Sequence, residues 1–115
     1  MMQTFTIPGR LPGYNELHTI SWQKNKRIKD EAMQTVGYAA LSLVPIDHKV
    51  TIRISCYEPN AKRDPDNVMS GAAKVILDAL QRYHKLPNDS RRWVTLLFDP
   101  VEVDREHPRI EVEIR

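Results

Sequence analysis

Two aspartates separated by a proline are the first residues in this chain whose types and spacing suggest chemistry. They stand in Lys62-Arg63-Asp64-Pro65-Asp66-Asn67. A residue before proline is pushed toward extended backbone, and in an extended chain residues two apart point the same way. Asp64 and Asp66 are therefore expected to present two carboxylates on one side, with Pro65 limiting the freedom of the pair. Like charges this close repel, and a hard divalent cation offsets the repulsion. Magnesium takes one or two carboxylates, keeps several waters and binds substrate phosphate oxygens. It can then activate water and stabilise the charge that builds on phosphorus. A third carboxylate would complete such a site. The best candidate is Asp89, in the loop Leu86-Pro87-Asn88-Asp89-Ser90 ahead of an apolar stretch, where a rigid scaffold could hold it. The plain alternative is turn and cap chemistry, since Asp-Pro-Asp-Asn also reads as a helix start with Asp66 or Asn67 as N-cap. Taken alone, the motif fits that alternative better.

Other chemistries are disfavoured. The segment is not an EF-hand loop, because its fifth and twelfth positions are Val68 and Val75. There is no P-loop and no dinucleotide fingerprint, so no nucleotide cofactor is expected. The single cysteine, Cys56, cannot form an internal disulfide or a cysteine zinc site. His18, His48, His84 and His107 lack paired ligand spacing, which disfavours zinc.

Apolar periodicity supplies the elements that must position these groups. Residues 2–7 predict a strand with Phe5 and Ile7 on one side, and the Pro- and Gly-dense run 8–15 predicts a loop. From about Ser21 to Val44, Ile28, Ala32, Val36, Ala39 or Ala40, and Leu43 form one stripe of a helix that Pro45 should end. Val50, Ile52, Ile54 and Cys56 alternate with polar residues, as in a half-buried strand, which places Cys56 in the core. A second helix is expected from about Asn67 to Tyr83, with Val68, Ala72, Val75 or Ile76, Ala79 or Leu80, and Tyr83 inward. Trp93 to Phe98 is apolar on both sides and predicts a central or covered strand; 99–109 reads as a long exposed turn. Ile110, Val112 and Ile114 mark a last strand, expected to close a hairpin. The expected order is β-α-β-α-β-β: an α+β domain with two main helices against one mixed sheet.

The 115 residues suit a single domain, 1–115, with an ordinary 41% hydrophobic and 28% charged content. No stretch approaches a transmembrane helix, and the N-terminus lacks a signal-peptide pattern, so a cytoplasmic location and no membrane partner are expected. The net charge of +2 says little. Its distribution says more: residues 1–63 carry nine Lys+Arg against five Asp+Glu, and 64–115 carry eight against ten. Lys24, Lys26, Arg27 and Lys29 cluster, and Lys62-Arg63 precede the paired acids. Such clusters can bind phosphate backbone, although a solvated helix face explains the first equally well.

Arg63-Asp64-Pro65-Asp66-Asn67, then Lys74 to Leu80 ending in Asp78-Ala79-Leu80, then Leu86-Pro87-Asn88-Asp89 resembles the core signature of the RusA-type Holliday junction resolvases. Leu11-Pro12-Gly13-Tyr14-Asn15 is similar to the family's opening. The resemblance implies a homodimeric α+β endodeoxyribonuclease that cuts four-way DNA junctions with magnesium, or manganese in its place, in recombination or repair. A phage or prophage setting is in keeping with it. It implies Asp64, Asp66 and Asp89 as catalytic metal ligands and Lys74 as the essential lysine. Lys62, Arg63, Lys24, Lys26, Arg27, Lys29 and Asn15 would contact DNA. The chain departs from the pattern in two places. Ser70 stands where the family often has its lysine, as though 69–72 were partly an insertion, and Asn88 replaces a loop acid. Asp78, inside an apolar helix, reads as structural and bonded to a basic or backbone group. Two other readings are a structure-specific nuclease on flaps or forks, and a non-catalytic junction-binding protein.

Overall fold

The computed structural model describes residues 2–115. Its elements are β1 (Gln3–Pro8), α1 (Tyr14–Leu17), α2 (Trp22–Ala39), β2 (Val50–Glu58), α3 (Pro65–Arg82), β3 (Val94–Phe98), β4 (Glu102–Val103) and β5 (Arg109–Ile114). The expected α+β domain with a mixed sheet is present. Strand order is β1-β5-β2-β3, with β4 pairing the far end of β2. β5 is antiparallel to both β1 and β2, whereas β3 and β4 run parallel to β2. Phe5 and Ile7, then Val50 to Cys56 in alternation, then Ile110, Val112 and Ile114 are buried. They meet Ala32, Met33 and Val36 of α2 and Val68, Ala72, Val75, Ile76, Ala79 and Leu80 of α3. Cys56 is core, and burial pushes its thiol up to about 12. No helix among the described residues is long and apolar enough to cross a membrane.

Several expectations need correction. α2 stops at Ala39, six residues before Pro45. The Lys85 ammonium donates to the carbonyls of Leu41 (3.2 Å) and Leu43 (2.6 Å), and the Gln3 carboxamide exchanges two hydrogen bonds with the Val44 backbone. These side chains take the backbone groups that another helical turn would have used. Residues Tyr14–Leu17 are helical, within and beyond the stretch read as loop. β3 is an edge strand, paired only with β2, and its Leu97 is 49% exposed. It is not central, and it forms no hairpin with β5, which lies on the other side of β2. The 99–109 segment contains β4. Pro100, which has no N–H to donate, separates β3 from β4 along the same edge of β2.

α3 ends in a Schellman arrangement: Lys85 N–H donates to the Leu80 carbonyl (2.8 Å) and His84 N–H to that of Gln81 (3.1 Å). The left-handed position falls on His84, with φ of 60°. A β-carbon there costs about 1 kcal/mol that glycine avoids. His84→Gly should therefore raise the unfolding free energy by about 1 kcal/mol. A denaturant titration in which its midpoint stays level or falls would contradict this reading of the helix end.

Candidate functional site

Strand β2 sets the site's position. Its alternation continues one step past Cys56, so Glu58 falls on the core-facing side, with its side chain 4% exposed. A buried carboxylate needs partners. Arg63 supplies a two-pronged pair, Nε to Oε1 at 2.8 Å and one terminal nitrogen to Oε2 at 2.9 Å. Its remaining terminal nitrogen donates to the Leu11 carbonyl (3.0 Å) and to Glu16 (2.9 Å). Arg10 reaches Glu58 from the solvent side at 3.2 Å. One guanidinium thus ties the end of β2, the 8–13 loop and α1 to the start of α3.

Arg63 leaves the chain directed into α3, where Pro65 occupies the first helical position that its fixed φ suits. The N-cap is Asp64, not Asp66 or Asn67, and its side chain makes no capping bond. Asp66 is therefore helical, and the extended i, i+2 geometry does not bring the pair together. The helix start does. Asp64 and Asp66 line one open cleft of about 300 Å³ with Tyr14, Asn15, Asn67 and Ser70. Its other wall is α1, held close because residue 71 is glycine: a Cβ there would stand 2.1 Å from the Pro12 carbonyl oxygen. The Asn15 N–H donates to the Asn67 carboxamide oxygen at 2.8 Å. The partial positive charge of the α3 N-terminus offsets part of the repulsion between the carboxylates.

Arg63, next to Asp64 in sequence, is already taken by Glu58 and Glu16, and no side chain among the described residues forms an ion pair with Asp64 or Asp66. A larger cavity of about 380 Å³ on the uncovered sheet face differs in this respect. There the Arg53 guanidinium and then the Ser55 hydroxyl hold Asp99 below the usual carboxylate range. Glu111 and Glu113 are paired with Arg109 and Arg115.

Of the residues expected to do chemistry or bind DNA, the cleft unites Asn15, Asp64 and Asp66. It does not include Asp89. α3 has 18 residues and is about 27 Å long; Asp64 precedes it and Asp89 follows it. The loop carrying Asp89 is held at the opposite end of the domain, through Ile46 N–H to the Lys85 carbonyl and Val50 N–H to that of Trp93. Among the described residues no three His, Cys, Asp or Glu side chains gather as a metal cluster. The three aspartates thus do not form one centre within a single chain.

Lys74 is also outside the cleft. It points along α3 to Asp78 (3.3 Å), which Lys29 of α2 approaches at 2.6 Å. Asp78 is bonded to basic groups as expected, and both partners, Lys29 and Lys74, are among the residues expected to act on DNA. Lys26 pairs with Asp30. Arg63 is an internal clamp with 12% of its side chain exposed, so it is not available to DNA. Lys24, Arg27 and Lys62 are exposed. Sequence reasoning missed Glu58, although its parity with Cys56 on the strand was a usable signal.

The donors in the cleft are all oxygen-rich groups: two carboxylates, two carboxamides, a serine hydroxyl and a phenol. This set fits a hard cation that keeps most of its water, as magnesium does, better than zinc.

Removing one partner of a buried pair strands the other charge. Glu58→Gln or Arg63→Met should each lower stability by about 3–5 kcal/mol. Arg10→Ala, at a side chain 41% exposed, should cost under about 1 kcal/mol. Similar small losses in all three by chemical denaturation would contradict the clamp. No protein-family model matches the sequence, and no curated protein matches it.

Proposed function

We propose that this protein is a magnesium-dependent endodeoxyribonuclease acting on branched DNA, with the four-way junction as its substrate, in line with its RusA-like signature. The observation that carries the reading is the open cleft in which Asp64 and Asp66 stand without a compensating cation, beside Asn15, Asn67 and Ser70. Two unneutralised carboxylates beside DNA would repel phosphate, so a binding protein gains nothing from keeping them. A divalent cation between them reverses that sign.

In this reading Asp64 and Asp66 hold magnesium, for which manganese can substitute. The bound ion supplies Lewis acidity toward a phosphate oxygen and acidifies water. Pro65 and the first turn of α3 fix the two carboxylates, so little reorganisation is needed when substrate arrives. The Asn15 and Ser70 side chains can donate hydrogen bonds to phosphate oxygens, which orients the scissile group. Lys62, exposed just before the cleft, adds attraction for the backbone. Lys74, paired with Asp78 at 3.3 Å, stands outside the residues that line the cleft. A symmetric homodimer would offer two clefts to two strands, and Asp89 would serve a cleft only from the second copy.

The test is cleavage of a labelled four-way junction, a flap, a fork and a matched linear duplex in magnesium, by wild type and Asp66→Asn. Wild type should cut the junction in paired nicks and spare the duplex. The variant should bind the junction in EDTA yet cut at least about 100-fold more slowly, the scale of losing a direct electrostatic contact in the transition state. Equal cutting of flaps or forks would make it a broader structure-specific nuclease. Junction binding without cutting in magnesium or manganese would leave a non-catalytic binder.

A further inference from the structure

At the end of the domain opposite the carboxylate cleft, a second concavity of about 870 Å³ is lined by Lys49, Asn88, Ser90, Arg91, Arg92 and Trp93. Its position follows from the backbone. The parallel register Val50↔Val94 begins β2 and β3 side by side, and Val50 N–H donates to the Trp93 carbonyl at 2.9 Å. That bond holds Lys49 next to the segment before β3. This segment is one tight turn, in which the N–H groups of Trp93 and Val94 both donate to the Ser90 carbonyl (2.9 Å each). The turn carries Arg91 and Arg92 at the surface, both exposed. Trp93 is partly buried against the core, which gives the groove a fixed wall.

Charge sets this groove apart. Most of the chain's lysines and arginines are engaged by carboxylates: Arg10, Lys26, Lys29, Arg53, Arg63, Lys74, Arg82, Arg109 and Arg115 all form ion pairs. Lys49, Arg91 and Arg92 form none among the described residues, yet they share one concavity. No nearby acid pairs with these three cations among the described residues: Asp47 is hydrogen-bonded to His48, and Asp89 is exposed in the same loop without lining the groove. Three free cations around a polar groove with an aromatic wall suit a phosphate backbone better than an apolar ligand or a protein surface.

We propose that this groove is a phosphate-backbone site for nucleic acid, separate from the cleft at the start of α3. The proposal rests on the reading of this protein as one that acts on DNA, and it moves the main backbone contact from the α2 lysines to the β2–β3 end. Its cations bind phosphate without reading sequence, so the groove positions the duplex and leaves the site of cutting to the cleft.

The experiment is a salt titration of binding to a fluorescent four-way junction in EDTA, for wild type and the double variant Arg91→Ala/Arg92→Ala, with thermal melting to verify folding. The variant should melt like wild type and bind at least about tenfold more weakly. Its plot of log affinity against log salt should be shallower by about two units, one for each phosphate that an arginine no longer neutralises. If wild type binds DNA and the variant binds with unchanged affinity and slope, the groove is not the backbone site, and the nuclease reading stands. If wild type binds no DNA at any salt concentration, both readings fall.

Discussion

Glu58 is a carboxylate on the core side of a strand, and the arrangement around it follows from the need to neutralise it. Burying a charge without a partner costs several kcal/mol, and Arg63 meets that need with two parallel hydrogen bonds. The pair is not strong evidence for stability in itself, because well-packed apolar residues can do as well. Its value is positional. With its remaining donors on Leu11 and Glu16, Arg63 fixes where the chain leaves β2, where α1 rests and where α3 begins. The next residue is Asp64.

The same clamp leaves the two aspartates without a cation. Arg63 is adjacent in sequence and would be their natural counter-ion, yet every arm of its guanidinium is committed elsewhere. Gly71 completes the arrangement by letting the Pro12–Gly13 backbone lie directly on α3, which brings Asn15 to Asn67. Two carboxylates without a paired cation thus stand at one end of the domain, and three cations without a paired carboxylate share a groove at the other. A polyanion would meet the two ends differently, contacting the β2–β3 end directly and the cleft only with a cation between.

Much of the fold was legible because burial has a period. The strand through Val50–Cys56 and the stripe on α3 follow from alternation and 3.6-residue spacing. The end of α2 was not legible, because it depends on Lys85 and Gln3, both distant in sequence. The edge position of β3 was hidden as well: an apolar run reads alike in a central strand and in an edge strand with one exposed leucine. For the site, the residue types were readable and their grouping only partly so. Asp64 and Asp66 share a cleft, but through a helix start rather than an extended pair. The place of Asp89 was not legible, because its loop is fixed by backbone bonds to Ile46 and Val50, distant in sequence, which hold it away from the cleft. Arg63 was misread because a basic residue beside two acids looks like a ligand-binding group until Glu58 is seen beneath it.

Whether the cleft takes a divalent ion decides the account most directly. Manganese added in small steps to isotopically labelled protein broadens the amide signals of residues nearest the bound ion. The amides of Asn15, Asp66, Asn67 and Ser70 should broaden first, and the selectivity should disappear in Asp64→Asn/Asp66→Asn while the rest of the spectrum is retained. Broadening centred on other carboxylates, or persisting at the cleft in that variant, would contradict the assignment of the metal to the start of α3.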